Sequence, residues 1–137
     1  VAALQAIMDE MDRHVELHEM PQERQLSREF HAAIAEASRN SLLIQLYTIV
    51  SNAFPDWLLY EALYRKPELV SASVTQTHDE HTAILEALKK GDADQAVKVS
   101  LDHVMESGRW LEMYREIPSN LLREQEKQVT HLMKKSK

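Results

Sequence analysis

Only two glycines and four prolines punctuate 137 residues, so sharp reversals are rare and long stretches of backbone must be regular. Within those stretches apolar residues return every three or four positions, as at Leu4, Ile7, Met8, Met11 and Val15. That is the period of one buried helix face, and no sustained two-residue alternation competes with it. The punctuation then divides the chain. A first helix is expected from Val1 to Leu17, and Pro21 breaks it and opens a second that runs to Ser38. Asn40 suits the cap of a third helix, from Ser41 to Tyr64, with Pro55 kinking or splitting it. This segment is apolar on nearly every side and is expected to be central. A fourth helix, from Pro67 to Lys89, ends at Gly91. Asp92 with Gln95 has capping-box spacing and starts a fifth, reaching Glu116, and Pro118 and Ser119 introduce a last one ending near Met133. The expectation is an all-α, antiparallel helical bundle of about six helices forming a single domain over residues 1–137.

The formal charge is −6, and the basic cluster Lys134, Lys135 and Lys137 is confined to the tail. Phosphate backbones would be repelled, which argues against direct nucleic-acid binding by this segment. The absence of cysteine removes disulfides, thiolate metal sites and thiol nucleophiles. Any metal must therefore sit on histidine and oxygen ligands. No apolar run approaches a membrane span and no signal-peptide pattern opens the chain, so a cytoplasmic, membrane-free protein is expected. Val1 already lies inside a helical pattern, which suggests a chain cut from something longer. The acidic stretch Glu10, Asp12, Glu16, Glu19 and Glu23 reads as a solvated face.

Three histidines stand apart from the other four. His31 shares the apolar side of its helix with Phe30, Ile34 and Ala37. His81 lies between Thr77 and the pair Leu85 and Leu88, and His103 shares a stripe with Ala96, Val99, Ser107 and Trp110. Three helices thus each aim one imidazole inward. The residues alone leave two readings open. Each ring can be a core histidine satisfied by a hydrogen bond, or the three can form a facial set for a divalent ion such as Zn²⁺ or Ni²⁺ with positions left for other ligands. Ser27, Thr77, Ser100 and Ser107, one turn from these rings, are the candidates for effector contacts or supporting bonds. His14, His18 and His131 read as solvated, and His78 as an edge residue beside Asp79. Glu80 is expected to turn away from the target of His81, because consecutive helical residues diverge by about 100°. Trp57, Trp110, Tyr47 and the methionines read as core or dimer contacts, and no phosphate loop or nucleophile elbow is present.

The run from Phe30-His31 through Ile34 to Ala37-Ser38-Arg39-Asn40 resembles the FH-x-x-I-x-x-AS-x-N signature of the FCD domain. This is the effector-binding half of many GntR-family bacterial transcription regulators. Glu80-His81 with Ile84, Ala87, Gly91-Asp92 and Ala96 resembles the family's second block, and His103-Val104 stands where its closing histidine is expected. The resemblance covers roughly residues 1 to 115.

It implies a helical bundle that homodimerises and binds a small carboxylate metabolite, often through a metal held by an aspartate and three histidines. His31, His81 and His103 take the histidine places. The aspartate's place, four residues before the first histidine, holds Ser27, so one anionic ligand is absent; the alternatives are a weaker metal site, one completed by water or by the effector's own carboxylate, or a metal-free anion pocket with protonated histidines. The resemblance also implies DNA contact through a winged helix-turn-helix domain, which this chain lacks, and no enzymatic activity. Two alternatives from other classes are a metal-dependent enzyme using the three histidines as a Lewis-acid centre, and a metal-free helical dimerisation module.

Overall fold

The structure, a computed structural model, describes residues 1–14, 19–53 and 70–112. These form five helices and no strand: α1 (Ala2–Met11), α2 (Met20–Ala37), α3 (Ser41–Ala53), α4 (Val70–Lys90) and α5 (Ala93–Glu112). The all-helical expectation is met. The sixth helix expected near 118–133 lies outside the described residues, as do Pro55, His18 and His131.

The helix ends follow the local chemistry read from the sequence. Pro21 sits in the first turn of α2. The Asn40 side-chain oxygen accepts from the amides of Leu42 and Leu43 at 3.1 and 3.2 Å, capping α3. Asp92 does the same for α5 through the Gln95 amide at 2.9 Å. Gly91 takes φ +67°, and its amide and that of Asp92 donate to the carbonyls of Leu88 and Ala87. That pairing is a Schellman motif, which closes α4 and reverses the chain at once. Helix α1 is shorter than expected. Its last carbonyls, on Glu10 and Met11, are taken by the amides of Arg13 and His14, tightening the end into three-residue turns.

α1 packs against both α2 and α4, α2 also packs on α3, and α4 packs on α5. Leu4, Met8 and Met11 of α1, Phe30 of α2, and Ile84 and Leu85 of α4 form the buried cluster where these helices meet. α3 departs from expectation, for among the described residues it has no buried member. Leu42, Leu46, Ile49 and Val50 are all at least half exposed. Its apolar pattern signals that a face needs cover without saying which element supplies it, and among the described helices α3 packs substantially on α2 alone. Glu23 also corrects the reading of the acidic stretch as a solvated face, since it is only 3% exposed. It lies on the side of α2 that carries Ser27, one turn further along.

Candidate functional site

The three inward histidines meet. His31 comes from α2, His81 from α4 and His103 from α5, and one nitrogen of each lies within 4.8 Å of the other two. His31 Nε2 is 3.1 Å from His81 Nε2 and 3.1 Å from His103 Nε2. Phe30 holds this cluster on the hydrophobic core. Its ring stacks on His81 at 4.6 Å between centroids and meets His31 edge-on at 5.5 Å. Phe30 and His81 are both 0% exposed.

The hydrogen-bonding arithmetic of this arrangement is incomplete for protein atoms alone. A ring nitrogen offers either one proton or one lone pair. His31 Nε2 nevertheless faces two other ring nitrogens at hydrogen-bond distance, so only one contact can be satisfied at a time. His81 Nδ1 adds a buried ring atom with no partner among the described residues. A cation among three lone pairs resolves the first difficulty. Nitrogens that share one ion at about 2.0–2.1 Å stand about 2.8–3.4 Å apart at angles near 90–109°, a range that includes the two 3.1 Å spacings from His31, while the three nitrogens together lie within 4.8 Å.

Protonation favours the same use. Burial, aided by the neighbouring His103 and Arg24, pushes His31 down to about 4. His81 is pushed further, to about 2, by burial and then by His31, His103, Arg24 and His78. At neutral pH both rings are neutral and carry lone pairs, the form that ligates metal.

Glu80 takes part in the site in a way that the spacing on its own helix does not predict. It accepts a hydrogen bond from His103 Nδ1 at 2.6 Å, and its other oxygen accepts from Gln76 at 2.9 Å. Glu80 does turn away from His81, but α5 lies alongside on that side. Glu80 and His103 fall almost equally far on either side of the reversal at Gly91. With its proton committed to Nδ1, His103 points an Nε2 lone pair at the cluster, the role carboxylates commonly play behind metal-bound histidines. The adjacency Glu80-His81 was visible in the sequence, but only the α4–α5 pairing gives the glutamate its partner.

A cavity of about 420 Å³ opens beside the rings. His31 and His103 line it together with Arg24, Ser27 and Arg28 of α2, Tyr47 of α3, Thr77 of α4 and Ser107 of α5. Three of the four hydroxyl residues singled out from the sequence therefore border this space, and Ser100 is not among its walls. Arg24 and Arg28 were not anticipated, although they lie one turn before Ser27 and His31 on the same stripe. Tyr47 donates to the Arg28 carbonyl at 2.9 Å, fixing α3 as one wall. Elsewhere, His78 pairs with Asp12 at 2.6 Å and His14 lies 3.4 Å from Glu10, so neither joins the three-histidine group.

A helical bundle holding buried imidazoles beside a cavity walled by guanidinium and hydroxyl groups is a small-ligand-binding domain. The FCD domain family model matches residues 1–106, and the chain belongs to that family. FCD domains are regulatory, effector-binding parts of GntR-type transcription regulators, a class of proteins that are not enzymes. No curated protein and no solved structure matches the chain significantly. None of the described helices is long and apolar enough to cross a membrane.

Proposed function

We propose that residues 1–137 form one FCD-type sensing and dimerisation domain of a GntR-family bacterial regulator, working in the cytoplasm. Its effector is a small carboxylate metabolite, received at a divalent ion, Zn²⁺ or Ni²⁺, on His31, His81 and His103. Ser27, Thr77 and Ser107 contact the effector from the cavity wall, and Ser100 supports the rings from behind. When bound, the ion supplies a Lewis-acidic position for a carboxylate oxygen. The chain's own residues do the rest. Glu80 holds His103 in its ligating tautomer, Phe30 fixes the rings against the core, and the guanidinium-bearing wall favours an anion. Effector binding then shifts the balance between two arrangements of the dimer, and DNA is contacted through a winged domain outside this chain.

The observation that carries this reading is the convergence of three Nε2 atoms that cannot all be satisfied by one another. A thermal-shift panel of Zn²⁺ and Ni²⁺ with small carboxylates tests it. A ligand at a hundred times its dissociation constant adds about 2.7 kcal/mol, a rise of roughly 5–10 °C for a chain of this size. The same panel on His81→Ala is expected to show no rise. If the unaltered chain shows none either, the three rings are core hydrogen-bonders and the domain is a metal-free dimerisation module.

A further inference from the structure

Among the described residues that line the cavity, none is acidic. At the position four residues before His31 stands Ser27, 4% exposed and part of the cavity wall. On the proposed reading, an ion here would meet three neutral imidazoles and at most a neutral hydroxyl. Its double charge would be left unbalanced by its protein ligands, of which His81 and His103 are buried. Bringing a charge into such a place costs heavily unless a counter-charge comes with it. Glu80 does not supply one directly, since its carboxylate is turned to the outer nitrogen of His103. Arg24 and Arg28 line the same cavity, so its wall brings positive rather than negative charge to the ion's open side.

We infer that this chain takes up its divalent cation and its carboxylate ligand as an interdependent pair, with Ser27 as the residue that makes each depend on the other. The inference rests on the metal-centred reading above and assigns a regulatory logic to the same site. The carboxylate is both effector and missing anionic ligand. Binding of either partner must then strengthen binding of the other by the same factor, because coupling free energy is reciprocal. The three rings provide the ion's fixed ligands, and the cavity beside them leaves room for the anion to approach. The domain thereby reports the joint presence of metal and metabolite, and neither alone fills it.

Co²⁺ is a suitable probe, since its visible absorption reports both occupancy and coordination. Titrations of the full chain with Co²⁺ alone, and with acetate, succinate or malate at matched ionic strength, measure the coupling. At least one carboxylate is expected to tighten Co²⁺ binding about tenfold or more, within the usual range for coupled sites. Free carboxylate competes for Co²⁺ in solution, so any tightening appears against that bias. Ser27→Asp is expected to bind Co²⁺ tightly without carboxylate and to reduce the carboxylate effect to less than about twofold. Ser27→Asn, similar in size but neutral, should keep the dependence, and this variant separates charge from the filling of a buried position. Equal Co²⁺ affinity of the unaltered chain with and without every carboxylate, at a site abolished by His81→Ala, overturns the inference and leaves the metal-centred function standing. Absence of Co²⁺ binding in all arms, Ser27→Asp included, overturns both.

Discussion

Replacing Phe30 by alanine is expected to cost about 3–5 kcal/mol of folding stability, the range for removing a fully buried aromatic ring. Phe30 is 0% exposed and belongs to the cluster that joins α1, α2 and α4. It is also the surface on which His81 stacks. Truncation therefore opens a cavity in the core and releases the floor of the histidine cluster in one step. Urea unfolding measures the loss, and Phe30→Leu, which refills most of the volume, should recover more than half of it. Because a small domain has only about 5–15 kcal/mol in total, Phe30→Ala is expected to be marginal at 37 °C. A loss below about 1 kcal/mol would mean that the ring is not the keystone its burial implies.

Acid is expected to have an effect of comparable size on the metal-free chain. His31 and His81 take up protons in the unfolded chain near pH 6.5, whereas in the folded chain they resist protonation down to about 4 and about 2. Below pH 6.5 the unfolded state thus binds more protons. The stabilising contribution, complete above pH 6.5, is lost as pH falls, at roughly 1 kcal/mol per pH unit for each ring. The His31 share levels off near pH 4, and that of His81 continues downward. Denaturation midpoints between pH 7.5 and 4.5, above the range of most carboxylates, check this. A decline that starts below 6.5 and is shallower in His81→Gln is expected, and a flat profile would show that the rings titrate as exposed histidines do. Bound metal should delay the decline, because protons and the ion compete for the same lone pairs.

The sequence made the helices legible because their signals are local. The caps at Asn40 and Asp92, the stop at Gly91 and the apolar period each depend on residues within a turn or two. The three histidines were legible for the same reason, since facing inward follows from helical spacing alone. The convergence of their Nε2 atoms, by contrast, depends on how α2, α4 and α5 pack. Glu80 shows the limit clearly. Its own helix predicts a direction away from His81, and the partner in that direction belongs to α5. Glu23 shows another limit, for a charge-rich stretch looks solvated until one of its members proves buried. The apolar run of α3 marked a face that needs cover, and among the described residues that face remains largely open.

Three imidazoles are expected to surround one divalent ion. Anomalous X-ray diffraction at the zinc edge, on crystals of the chain grown with Zn²⁺ and a small carboxylate, tests it most directly. The expected result is a single strong peak about 2.0–2.1 Å from an Nε2 atom of each of His31, His81 and His103, with Glu80 still bonded to His103 Nδ1. A map with no peak at the cluster, and the three rings hydrogen-bonded to one another or to water, would contradict it.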